Sequence, residues 1–251
     1  MSKTISIVMR KGGVGKTTTA VNLASALQVK GKKTLLVDLD PQASATISVG
    51  INPKTLPYSI NDLFTNINRK PQDVIVTTPF GLSVLPAKEE FNKTEAGMTA
   101  TSVGALKPII SELEDQFDYI IIDTMPSQSY LSVNALVASH SVIIPLETHY
   151  LAMEGLDQAM KDVEEVKQGL NPGLEIIGIL PTKVQPNTKL AKAVLDEAKD
   201  AYPALLLPIE IKLSIKIAEA SLEGKPIVIL DPQHQGAEDY FKLAQYIYER
   251  P

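Results

Sequence analysis

The chain has 251 residues, 44% of them hydrophobic, with 24 Lys and Arg against 29 Asp and Glu for a net charge of −5. That length and apolar content suit one core built as a single domain over residues 1–251, and no apolar stretch approaches the length that spans a bilayer. The absence of cysteine excludes a disulfide framework and every thiolate-held metal centre, and the acidic balance excludes a surface coated uniformly in basic residues for nucleic acid, though not a local basic patch.

Taken in chain order, Ile5–Met9 is an apolar strand, and Lys11-Gly12-Gly13-Val14-Gly15-Lys16-Thr17-Thr18 follows it directly. An amphipathic helix is expected over Thr17–Lys30. Strand, glycine-rich loop and helix together form a phosphate cradle. Backbone N–H groups freed by the glycines point inward, and the helix N-terminus adds its positive dipole end. Lys16 reaches the β- and γ-phosphates, and the Thr17 hydroxyl ligates Mg²⁺. The phosphates of a nucleotide, with Mg²⁺, are therefore the expected ligands. Lys11 is an addition, since the general phosphate loop asks only for glycine at that position.

The next strand, Thr34–Leu39, runs into Asp38-Leu39-Asp40-Pro41-Gln42. Strand ends in an open parallel sheet carry the ligand, so Asp40 falls beside the loop, where a carboxylate orients the attacking water or helps hold hydrated Mg²⁺. A carboxylate capping the following turn is the simpler alternative. Residues Asn52 to Ala100, rich in Pro, Asn and Thr, read as connecting loops around a strand at Leu82–Leu85 and receive no chemistry. After a helix at Ala105–Gln116, the buried strand Tyr119–Ile122 ends in Asp123, the pattern that holds Mg²⁺ through water. Further helices are expected at Tyr130–Ser139, Met153–Gly169, Thr188–Lys199 and Ala237–Tyr248. Further strands are expected at Ser141–Pro145, Ile176–Leu180, Leu205–Ile209 and Ile227–Leu230. Continuous Val/Ile/Leu strands alternating with helices predict an α/β fold, a doubly wound, mostly parallel sheet flanked by helices.

The loop with Lys11 resembles the deviant Walker A motif of the ParA/MinD ATPases, a branch of the P-loop NTPases. The resemblance extends through Asp38-Leu39-Asp40-Pro41-Gln42, Asp123-Thr124-Met125-Pro126, Ala152-Met153-Glu154-Gly155 and the ending from Ala218-Glu219-Ala220 to Asp239-Tyr240. That ending is characteristic of ParA proteins and not of MinD. The resemblance implies an ATP-bound sandwich homodimer. In it Lys11 crosses to the other subunit's nucleotide, Asp40 is needed for hydrolysis, and the segment opening at Ala152 contributes to the interface. It also implies non-specific binding to nucleoid DNA, a ParB-like or other small activator, and segregation of a plasmid or chromosome. Positioning of a protein cargo such as carboxysomes or chemotaxis clusters is one alternative. A MinD-like membrane-associated ATPase is the other, disfavoured because the last helix carries Tyr240, Leu243 and Ile247 at core spacing and is not basic. Only ten residues precede the loop, which fits the short type without an N-terminal helix-turn-helix. The start is not a signal peptide, and the expected location is cytoplasmic and nucleoid-associated.

Two departures from the ParA text bear on function. Met125 stands where the family has the first Pro of Asp-x-Pro-Pro. Of the two basic positions that carry DNA binding in the family, one survives as Lys216 and the other is Asn187. Lys183, Lys189, Lys192, Lys212 and Lys216 form the candidate DNA-facing cluster, because phosphate contacts need charge rather than base-specific geometry. The alternative is that these are solvated lysines offset by Glu210, Glu219 and Glu223.

Overall fold

The apolar runs pair into one sheet in the computed structural model, which describes residues 2–65, 68–126 and 129–250. In chain order the elements are β1 (Lys3–Ile7), α1 (Lys16–Val29), β2 (Thr34–Asp38), α2 (Ser44–Ser48), α3 (Ile60–Thr65), β3 (Val76–Thr77), β4 (Ser83–Leu85), α4 (Phe91–Ala96) and α5 (Leu106–Ser111), then β5 (Tyr119–Asp123), α6 (Tyr130–Ala138), β6 (Ser141–Glu147), α7 (Ala152–Gly169), β7 (Glu175–Thr182), α8 (Lys189–Ala201), α9 (Ile215–Leu222), α10 (Ile227–Leu230) and α11 (Gln235–Glu249). The strand order is β3-β4-β2-β5-β1-β6-β7. All pairs are parallel except β3 with β4. Every residue of β2 and β5 is buried, as continuous apolar strands covered on both faces require.

Helices cover both faces. On one, Ala20, Leu23, Ala24 and Leu27 of α1 join Tyr240, Leu243, Ala244 and Ile247 of α11 in a single apolar cluster. The C-terminal helix is thus a packing element, with Tyr240 1% exposed. On the other, Leu106 and Ile110 of α5 and Leu131 and Ala135 of α6 pack beneath β2 and β5, while Leu156, Ala159, Val163 and Val166 of α7 pack with Val142 and Ile144 of β6. No helix among the described residues is long and apolar enough to cross a membrane.

Several elements differ from the sequence reading. Ile227–Leu230 is a turn of helix, not a strand. Pro226 precedes it, and the Ile227 N–H donates to Asn22 Oδ1 of α1 at 2.9 Å instead of to a sheet. A four-residue apolar run has no period by which to tell the two apart. Leu205–Ile209 is not a full strand either. The Leu207 N–H and Leu205 carbonyl both bond to Ile179 of β7, at 2.9 and 2.7 Å, but Pro208 has no N–H to continue the ladder. The helix expected to Gln116 ends at Ser111 and tightens into turns. The stretch from 52 to 100 holds α3, α4 and the antiparallel β3, short pieces drawn together by Phe64 against Phe91, with ring centroids 5.4 Å apart. α2 and α9 were also not anticipated.

The 205–207 segment lies so close to β7 that a Cβ on Gly178 would sit 2.4 Å from Leu207 Cδ2 and 2.7 Å from the Leu205 carbonyl oxygen. Gly178→Ala is therefore expected to destabilise the fold by about 1–3 kcal/mol in denaturant titration, through overpacking. An unchanged midpoint would show that the segment does not rest on β7.

Candidate functional site

Parallel pairing sets the carboxyl ends of three strands level. Ile7 of β1 and Asp38 of β2 both stand opposite Asp123 of β5. Ligand-binding residues of an open α/β sheet belong at this edge. The loop after β1 is anchored here on two sides. Thr124 Oγ1 donates to the Ile7 carbonyl at 2.7 Å, and Thr182 Oγ1 at the end of β7 donates to the Val14 carbonyl at 2.8 Å. Neither threonine was singled out from the sequence. Their one signal is position, each at or just beyond a strand's carboxyl end.

Gly13 and Gly15 take the left-handed backbone, with φ of 77° and 94°. There an L side chain is strained, so glycine makes the loop's shape possible. Gly15 caps α1 without a capping side chain, and the first turn of α1 holds no acidic residue. The helix's leading N–H groups thus keep their capacity for an anion. Lys16 is buried, and its ammonium turns back onto the Lys11 carbonyl at 3.2 Å. Burial lowers the Lys16 pKa, while Asp123 and Asp40 act to raise it.

The two strand-end carboxylates differ in their surroundings. Asp38 is fully engaged, accepting from Thr46 N at 2.8 Å, Thr46 Oγ1 at 2.7 Å and Asp40 N at 3.0 Å. Burial pushes its pKa up to about 6 against these bonds, which favour the charged form. This carboxylate braces the chain from β2 into α2. Asp123 is fully buried, and among the described residues neither of its oxygens has a hydrogen bond of good geometry. Burial first, then the neighbouring Asp38, raise its pKa well above the usual carboxylate range, while Thr17 and Lys16 pull the other way. An unpartnered buried carboxylate beside an ammonium and a hydroxyl is an incomplete site, and a hard cation would complete it. Asp40 is 8% exposed. One of its oxygens accepts from Gln42 N at 2.9 Å, and the other is uncommitted among the described residues. The set Thr17, Asp40 and Asp123 offers only oxygen donors, the type Mg²⁺ takes. No cluster of three His, Cys, Asp or Glu able to hold a metal occurs among the described residues. A few carboxylates that share the ion with substrate phosphates are the usual magnesium arrangement.

Comparison with known proteins agrees with this geometry. Residues 2–176 match the family model described as an AAA domain. The sporulation initiation inhibitor protein Soj of Bacillus subtilis is 38% identical over 249 residues, covering 98% of each chain. The chromosome partitioning protein ParA of Myxococcus xanthus is 35% identical, over all of this chain and 89% of its own. The chain belongs to the ParA/Soj family of partition ATPases. Its reaction is ATP hydrolysis. Among solved structures, cobyrinic acid a,c-diamide synthase of Mycobacterium smegmatis with bound ADP and magnesium superposes with a TM-score of 0.87 at 33% identity, covering 99% of this chain and 94% of that one.

In this ParA/Soj member, Met125 is half-buried and its Sδ accepts from Ser129 Oγ at 3.2 Å, so a flexible thioether occupies the family's proline position. The five candidate lysines divide into two groups. Lys183 pairs with Glu147 at 3.3 Å and Lys216 with Asp231 at 2.5 Å. Of the glutamates considered from sequence, Glu219 and Glu223 act on Lys216 at longer range than its ion-pair partner Asp231. Lys189, Lys192 and Lys212 are exposed and have no ion pair among the described residues. The 183–184 and 211–213 segments are brought side by side by Val184 N to the Ile211 carbonyl and Leu213 N to the Val184 carbonyl, both 3.0 Å.

Neutralising the unpartnered carboxylate separates folding from function. Asp123→Asn is expected to raise the stability of the nucleotide-free protein by roughly 1–2 kcal/mol, because a buried uncompensated charge is removed. The same change should abolish the extra stabilisation that Mg²⁺ gives over ATP alone in thermal unfolding. A less stable nucleotide-free variant would contradict this account of Asp123.

Proposed function

We propose that the chain is an ATP-gated DNA tether that segregates a plasmid or chromosome as a cytoplasmic, nucleoid-associated protein. The observation that carries this reading is the incomplete charge arrangement at the strand ends: among the described residues Lys16 is hydrogen-bonded to a loop carbonyl, and Asp123, close to Lys16 and Thr17, has no well-formed hydrogen bond of its own. Phosphates and a divalent cation together fit both.

ATP is held by Gly12, Gly13, Val14, Gly15, Lys16, Thr17 and Thr18, whose backbone N–H groups and side chains surround the phosphates. Lys16 exchanges the Lys11 carbonyl for phosphate oxygens. Thr17, Asp123 and Asp40 hold Mg²⁺, directly or through water; the ion, when bound, supplies positive charge where the leaving group's negative charge develops. Asp40 orients the attacking water with its uncommitted oxygen. Lys11, freed of Lys16, reaches the nucleotide of a second subunit. The surface beside it suits such contact: Tyr150 and Leu151, just before α7, are 71% and 57% exposed. Pairing two subunits sets two copies of Lys189, Lys192 and Lys212 on one assembly. The avidity that results reconciles an acidic monomer with binding to DNA. A ParB-like activator that speeds hydrolysis opens the dimer and releases it.

Two outcomes follow. Asp40→Ala is expected to leave ATP binding intact and trap an ATP-bound dimer on DNA, read by sedimentation with and without DNA; ATP-loaded monomers alone would refute the reading. Lys189→Glu and Lys212→Glu should each lower retention on non-specific duplex DNA about tenfold at fixed salt without changing ATP affinity. Undiminished retention in both variants would remove this face from the interface.

A further inference from the structure

Arg10 immediately precedes Lys11, and its guanidinium forms a fork with a single carboxylate. Nε donates to Asp162 Oδ2 at 2.5 Å, and Nη2 donates to Asp162 Oδ1. Both side chains are mostly shielded, 28% and 20% exposed, so solvent weakens the pair less than it would an open surface bridge. Asp162 lies on α7. Seven residues earlier on the same helix, two turns away and so on the same face, is Gly155. A Cβ there would stand 3.6 Å from Met9 Sδ and 3.8 Å from Lys11 Cβ. One face of α7 therefore touches the loop entry twice, at Gly155 by close approach and at Asp162 by the fork. On the loop's other side Lys16 bonds the Lys11 carbonyl. A cavity of about 70 Å³, lined in part by Arg10, Thr124, Met125, Ser129 and Asp162, lies beside the pair. Glu165 also lines this cavity and attracts Arg10 at longer range, but among the described residues the fork to Asp162 is the hydrogen-bonded restraint.

We infer that Arg10 and Asp162 are positioning residues for Lys11, fixing the loop entry against α7 so that the Lys11 ammonium points out of its own site toward a partner subunit's nucleotide. This rests on the sandwich-dimer reading above. Two parallel hydrogen bonds fix the orientation of the guanidinium as well as its distance, which a lysine ammonium in its place would not do. Gly155 marks the second place where α7 rests against the loop entry; a Cβ there would make ordinary van der Waals contact with Met9 and Lys11.

The test compares wild type with Asp162→Asn, Arg10→Gln and the exchanged pair Arg10→Asp/Asp162→Arg. Three readouts are used: hydrogen exchange of the 9–15 backbone without nucleotide, affinity for a fluorescent ATP analogue, and dimer dissociation with ATP by sedimentation velocity. Asp162→Asn is expected to speed exchange in the loop about fivefold and weaken the dimer about tenfold, with nucleotide affinity held within about twofold. The exchanged pair should recover most of the dimer. A wild-type dimer that Asp162→Asn leaves intact overturns the inference alone. Parallel loss of nucleotide affinity and thermal stability, with no recovery in the exchanged pair, also overturns it, by showing a purely structural bridge. A wild-type chain that stays monomeric with ATP overturns the sandwich reading and the inference with it.

Discussion

The level register of β2, β5 and β1 is the constraint on which the rest of the site depends. It sets Asp38 and Asp123 opposite each other at the carboxyl edge and brings the phosphate loop out beside them. Two buried carboxylates side by side repel, and each is costly to hold charged away from water. The fold treats them differently. Asp38 is compensated by three hydrogen bonds, whereas Asp123 is left to Lys16, Thr17 and whatever binds. The strands on either side, β2 wholly buried and β1 buried beyond Lys3, are paired with β5 along their whole length and offset this destabilisation. Stability supplied by the sheet is spent at the site, which is where a ligand returns it.

Much of this was legible in the sequence. The loop from Lys11 to Thr18 could be read because its glycines, lysine and threonine each have a separate physical task at a fixed spacing. Asp40 and Asp123 could be read because strand ends are where ligands sit. What was not legible depends on contacts distant in the chain. The sequence sets Asp38 apart from Asp123 as a supporting residue, but not how it is engaged, since that lies in Thr46 reaching back across a turn. The two threonines that anchor the loop, Thr124 and Thr182, are separated from it by more than a hundred residues. Ile227–Leu230 was misassigned because a short apolar run fits helix and strand equally well, and only Asn22 of α1 decides between them. The candidate lysine cluster was placed by the resemblance to the ParA text at Asn187 and Lys216 and extended by charge. Its division into paired and unpaired members needed Asp231 and Glu147 in place.

The same logic links the nucleotide site to the surface. Lys16, Lys11 and Arg10 form a short relay along the loop, from the phosphate end to α7. Two of the three are held, Lys16 by the Lys11 carbonyl and Arg10 by Asp162, while the Lys11 side chain has no partner among the described residues. In the proposed cycle a nucleotide draws Lys16 away from the Lys11 carbonyl and so alters the loop on the side that faces α7. Such a coupling joins the site to DNA in the proposed cycle, because one copy of three lysines is a weak match for a phosphate backbone and two copies held together are a better one.

The most direct test of the account is retention of the unmodified protein on non-specific duplex DNA at one stated salt concentration, measured with ATP and Mg²⁺, with ADP and Mg²⁺, and without nucleotide. The account predicts retention with ATP and little with ADP or without nucleotide. Equal retention in all three states, or none in any, would contradict the claim that the strand-end site controls the DNA-binding form.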